Sequence, residues 1–203
     1  MERGSFVTLG PPRFRRKTRI GGDVDPEVFC ADEQDVVPVD VLRWQGLARK
    51  VLSAEGVRGG TELSIFFIAE ADMAELNREH MGADGSTDVL SFPIDGGEVV
   101  DVMAGPSGGS RSPDRSPVDR GDLPLLLGDV VICPEVAARQ ADTHAGTLDD
   151  EFALLVVHGI LHVLGWDHAT DEERDRMWAR ERALLMEHHW NGPAPSRFRQ
   201  DMP

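Results

Sequence analysis

Cysteine is scarce in this chain: among 203 residues only Cys30 and Cys133 carry a thiol. Two thiols so far apart form no disulfide framework and fit a reducing cytosol. No apolar run is long and uncharged enough to span a bilayer. A secretory leader is not expected either, because Arg13, Arg15, Arg16, Lys17 and Arg19 stand where its apolar core would lie. Positive charge is short as well: 21 Lys and Arg face 36 Asp and Glu, a net −15. Nucleic acids are bound mainly through Lys and Arg, so attraction of a polyanion to the whole surface is not expected, whereas a local groove is still allowed. Much of the acid lies between Asp149 and Glu187 and reads as solvated helix faces. A cytoplasmic protein with no membrane contact is the expectation.

What the chain does have is the stretch from Leu154 to His168 (Leu-Leu-Val-Val-His-Gly-Ile-Leu-His-Val-Leu-Gly-Trp-Asp-His). Its first eleven residues are apolar on nearly every face of a helix, the pattern of a core element. His158 and His162 interrupt it at i and i+4 and so project from one face, a turn apart. Gly165 follows where a left-handed cap would stop the helix, and the chain can then return His168 to the other two. Three imidazoles converging in this way make a tripod for a tetrahedral metal with the fourth position open. The plainer reading is three core histidines, each with its own hydrogen-bond partner. An unpaired buried polar group costs on the order of 1–3 kcal/mol, and one divalent ion satisfies all three rings at once. Zinc, one per chain, is the expected ion, with His158, His162 and His168 as its ligands.

The rest of the chain supplies a scaffold. Residues 1–25 hold six basic residues with Gly-Pro-Pro and Gly-Gly breaks and read as a disordered basic arm. A short apolar run from Glu27 to Ala31 is a candidate strand. Asp40 caps a helix that carries Val41, Trp44, Ala48, Val51 and Leu52 and ends near Gly56. Leu63 to Ala69 is almost continuously apolar and predicts a central strand covered on both faces. A helix from Asp72 to His80 and a strand from Asp88 to Pro93 follow. Residues 95–122, rich in Gly, Pro, Ser, Asp and Arg, read as a disordered surface insertion. Leu125 to Cys133 is a fourth strand, and Pro134 opens a helix at its first position. Thr147 with Asp150, and Thr170 with Glu173, have capping spacing and start the last two helices. Met177, Leu184 and Leu185 give the final helix an apolar face, and residues 191–203 read as a flexible tail. The fold class is α+β: a small mixed four-stranded sheet with helices around the three-histidine site.

A zinc tripod of neutral imidazoles lowers the pKa of water toward 7 and polarises a carbonyl or phosphoryl oxygen, which makes hydrolysis the natural reaction class. Metalloproteases with His-Glu-x-x-His use the glutamate as general base. Here that position is Gly159, which moves no proton, although the spacing to Gly165 and His168 is that of the metzincins. Peptide hydrolysis must protonate a leaving amine, whereas a phosphodiester depends less on that acid. The pattern therefore favours phosphoryl chemistry over a zincin-like peptidase.

The segment His158 to His168 resembles the signature of the bacterial YbeY family, endoribonucleases of ribosomal RNA maturation. The resemblance extends to Glu75-Leu76-Asn77-Arg78, to Thr87 through Pro93, and to Leu127 through Glu135, in family order over residues 27–190. It implies zinc ligation by His158, His162 and His168 and a single catalytic domain across those residues. It also implies cleavage of single-stranded RNA in maturation of the small-subunit rRNA 3′ end and in ribosome quality control, with the small ribosomal subunit as partner. A non-catalytic ribosome assembly factor with structural zinc is the alternative. Asp167 is a candidate for orienting a ligand ring and equally a turn cap. Many members carry an arginine where this chain has Met81, so phosphate binding falls to another group, with Arg78 the candidate.

Overall fold

The computed structural model describes residues 25–94 and 124–200. The expected arm (apart from Asp25), the insertion at 95–122 and residues 201–203 of the tail lie outside the described residues. Within the described residues four strands, β1 (Glu27–Asp32), β2 (Thr61–Phe67), β3 (Val89–Pro93) and β4 (Leu125–Ile132), form one sheet in the order β1-β2-β4-β3. β1 and β4 flank β2 in parallel, and β3 closes the edge antiparallel to β4. Among the described residues five helices accompany them: α1 (Val41–Ala54), α2 (Glu70–Met81), α3 (Pro134–Gln140), α4 (Leu148–Val163) and α5 (Asp171–His188). The architecture is the expected α+β, a mixed four-stranded sheet with helices around it.

The sheet's two faces are covered unequally. Leu63, Ile65 and Phe67 of β2 are fully buried and join Trp44, Val51 and Leu52 of α1 and the apolar faces of α4 and α5 in one large core. On the other face Ile68, Met73, Leu90, Val131 and Cys133 form a smaller cluster, with Phe66 and Phe92 partly buried at its margin. β2 therefore alternates buried with half-buried positions, although its sequence read as a strand covered on both sides. Phe29 of β1 lies 5.8 Å from Phe66 and is 52% exposed, so this cover does not reach the β1 edge.

Local chemistry sets the helix ends that position the site. Ala69 has no capping side chain, and Glu135 of α3 accepts the Glu70 N–H at 2.7 Å instead, tying the start of α2 to α3. Thr147 Oγ1 accepts the Asp150 N–H at the start of α4, and Thr170 with Glu173 forms a full capping box on α5. At the end of α4, Gly165 adopts φ +84 and donates to His162 O, while Trp166 N–H donates to Leu161 O. This paired pattern is a Schellman stop, the turn expected from Gly165.

Residues 193–200 differ from their reading as a frayed tail. Phe198 is buried in the main core, and the Arg199 N–H donates to His144 O at 2.8 Å. The tail's Pro and Gly residues end the helix but leave the apolar Phe198 free to find the core by a contact distant in sequence.

Candidate metal centre

α4 is buried along almost its whole length and lies across the sheet beside β3 and β4. Gly159 allows this approach. A Cβ built there would meet Val130 Cγ1 at 2.5 Å and Ser91 Oγ at 3.2 Å. Ser91 donates to the Gly159 carbonyl at 3.2 Å, fixing β3 to the helix beside His158. The position where a metalloprotease carries its glutamate thus has no room for a side chain.

His158 and His162 project from α4, and the turn after Gly165 returns exposed His168 to them. Ring centroids are 4.5 Å apart for His158 and His162, 4.9 Å for His162 and His168, and 5.8 Å for His158 and His168. One ring nitrogen from each lies within 4.8 Å of the others. The structure thus brings together all three expected residues.

Their hydrogen bonds define what the cluster can hold. His158 Nδ1 donates to Glu181 Oε1 at 2.7 Å, and His162 Nδ1 donates to the Trp166 carbonyl at 3.0 Å. Each neutral ring has one N–H, so both Nε2 atoms carry lone pairs. Those two atoms face one another at 3.0 Å. Two lone pairs at that separation repel unless a proton or a metal ion lies between them. A tetrahedral zinc with nitrogens at about 2.0–2.1 Å sets its ligands roughly 3.3 Å apart, close to the 3.0 Å between the Nε2 atoms of His158 and His162. Burial, then the neighbouring His158 and His168, push the His162 pKa down to about 4, so this ring is neutral at neutral pH and releases no proton to bind a metal. The donor set fits a divalent metal that accepts imidazoles.

Asp167 Oδ1 accepts the backbone N–H of His168 at 2.7 Å, which is the turn-capping one of its two expected uses. For His158 and His162 the rings are oriented instead by Glu181 and the Trp166 carbonyl. Glu181 was missed because the acid of residues 149–187 read as solvated, yet Glu181 and Glu151 are fully buried and Asp150 nearly so. The overlooked signal is local: Glu181 falls inside the apolar stripe of Met177, Leu184 and Leu185. Glu151 accepts from His144 Nδ1 at 2.9 Å, from Gln140 at 2.7 Å and from Ala145 N–H, and it forms a separate network with Asp88 at the start of α4. Arg78 is well exposed, with a loose 3.7 Å ion pair to Glu75, and Met81 lies exposed at the end of the same helix.

Among the described residues, no helix is long and apolar enough to cross a membrane. Comparison with known proteins adds a family. The profile described as Endoribonuclease YbeY matches residues 29–189. An Endoribonuclease YbeY of Salinispora tropica is 46% identical over 150 residues, 72% of this chain and 87% of that protein. One from Frankia casuarinae is 42% identical over 165 residues, 81% of this chain and 75% of its own length. Another, from Thermobifida fusca, is 42% identical over 149 residues, covering 73% and 86% respectively.

Proposed function

This chain belongs to the YbeY endoribonuclease family, and on that premise we propose that it is a zinc-dependent endoribonuclease that cuts single-stranded RNA. Its site is the cluster of His158, His162 and His168, in a catalytic unit spanning residues 27–190, with one zinc per chain. The observation that carries the reading is the pair of bare Nε2 atoms 3.0 Å apart, each held in that tautomer by an acceptor on the far side of its ring. We further place its work in the cytoplasm, in maturation of the 3′ end of small-subunit rRNA and in ribosome quality control, with the small subunit as partner.

Each part of the chain has a defined share in the chemistry. The three imidazoles hold the ion, and zinc when bound supplies Lewis acidity toward a phosphoryl oxygen and lowers the pKa of water to about 7. Glu181 and the Trp166 carbonyl hold the Nδ1–H groups of two of the rings and so aim their Nε2 atoms inward. Gly159 lets α4 lie against β3 and puts no carboxylate at the position that supplies a metalloprotease's general base, which favours a phosphodiester over a peptide. Arg78, exposed and only loosely paired with Glu75, is the group we assign to a backbone phosphate.

Zinc-loaded and metal-stripped protein incubated with single-stranded RNA, a stable hairpin and casein separates the readings. The loaded protein is expected to cut the single strand, to spare the hairpin stem and casein, and to lose activity when stripped. Binding of rRNA without cutting by the loaded protein would make it an assembly factor with structural zinc, and casein cleavage would make it a peptidase.

A further inference from the structure

Glu181 is a carboxylate with no exposure on α5, surrounded by the apolar residues of the main core. A buried carboxylate without partners costs several kcal/mol, so both of its oxygens need donors. Oε1 accepts from His158 Nδ1 at 2.7 Å, and Oε2 accepts from Gln200 Nε2 at 2.7 Å. The second donor comes from the end of the described chain. The same amide donates to the Trp178 carbonyl at 2.8 Å, so its two N–H groups grip α5 at positions three residues apart.

Gln200 is not held there by chance. Phe198 is buried, with its ring 4.8 Å from that of Trp190, and the Arg199 N–H is taken by His144 O. Arg197 lies across Gly146, where φ is +97 and any Cβ would collide with the arginine stem. The loop between α3 and α4 is therefore shaped to receive this segment.

We infer that the C-terminal segment is a component of the metal centre: Gln200 holds Glu181, and Glu181 holds His158 with its Nε2 lone pair turned toward His162 and His168. This rests on the reading of the three histidines as a metal site. A neutral imidazole with no acceptor at Nδ1 is free to place its proton on either nitrogen, and the Nε2–H form cannot bind a metal through Nε2. A carboxylate partner removes that freedom and raises the basicity of the ligand. Without Gln200, Oε2 has no protein donor and the carboxylate loses the contact that fixes its orientation toward His158. Gln200 and Glu181 are positioning residues; neither touches the ion or the substrate.

The test compares the full-length chain with Gln200→Leu and Glu181→Leu, the latter chosen because Leu suits the stripe formed by Met177 and Leu184. Zinc affinity is read by chelator competition, and the His158 tautomer by 15N–1H spectra of the metal-free protein. Zinc binding should weaken about 100-fold in Glu181→Leu and about 10-fold in Gln200→Leu, the span known for lost outer partners of metal ligands. The His158 signals should move from a pure Nδ1–H pattern to a mixture in Glu181→Leu, and part of the way in Gln200→Leu. Wild-type affinity and tautomer in both variants, with only a lower melting temperature, would overturn the inference and leave the segment a structural strap. Failure of the wild-type chain to bind zinc would sink the metal reading separately, and the 15N pattern would still decide whether Glu181 and Gln200 hold the ring.

Discussion

His162→Ala empties the metal centre, whereas His144→Ala leaves it filled. The two residues are alike in chemistry and in being largely withdrawn from water, but they belong to different networks. His162 presents a bare Nε2 to His158 and His168, so its loss removes one of three ligands. The fall in zinc affinity should exceed the roughly 100-fold seen when only an outer partner is lost. From the loop before α4, His144 instead donates from Nδ1 to Glu151 in the first turn of that helix. Its removal takes a donor from a buried carboxylate and should cost about 1–3 kcal/mol of stability, or about 2–4 °C of Tm per kcal/mol in a domain of this size. Elemental analysis after gel filtration should give close to one zinc per chain for wild type and His144→Ala, and almost none for His162→Ala. Equal zinc in the two variants would remove the tripod as the site.

Gly159→Glu, which restores the sequence of a metalloprotease, should unfold the protein and not create a peptidase. A single added carbon already meets Val130 Cγ1 at 2.5 Å and the Ser91 hydroxyl at 3.2 Å. Overpacking of this kind costs about 1–3 kcal/mol, and a carboxyl pushed between helix and sheet with no donor adds a similar amount. The sum, on the order of 4 kcal/mol, is a large part of the roughly 5–15 kcal/mol that holds a domain together. Urea denaturation should show Gly159→Ala destabilised by about 1–3 kcal/mol, and Gly159→Glu insoluble or unfolded at low denaturant. A well-folded Gly159→Glu that cleaves casein would show that space was never the constraint and that the missing glutamate is a matter of chemistry alone.

What could be read from the sequence follows from how local each signal is. The histidine helix was legible because its cues all lie within fifteen residues: an apolar run, imidazoles a turn apart, and a glycine stop that the structure places in a Schellman turn. Strand and helix order was legible from period and caps, which again involve near neighbours. For Glu181 the sequence offers a cue to burial, its place within the stripe of Met177, Leu184 and Leu185, but not its partner, because only the packing of α5 against α4 brings it to His158. Gly159 read as a missing base; its second meaning, as the contact point of helix and sheet, needs Val130 from another strand. The segment beyond Gly192 read as frayed from its Pro and Gly content, while its docking depends on Phe198, Arg199 and Gln200 meeting residues far away in the chain. The composition of β2 predicts two covered faces, yet α2 and α3 cover only part of the second one.

X-ray absorption at the zinc edge of the reconstituted protein tests the central claim most directly. Three imidazoles and one open position predict four nitrogen or oxygen neighbours at about 2.0–2.1 Å and outer-shell scattering that fits three imidazole rings. In His168→Ala the ring count should drop to two. A sulfur neighbour at about 2.3 Å, which would bring in Cys30 or Cys133, or a shell with no imidazole signature, would contradict the account.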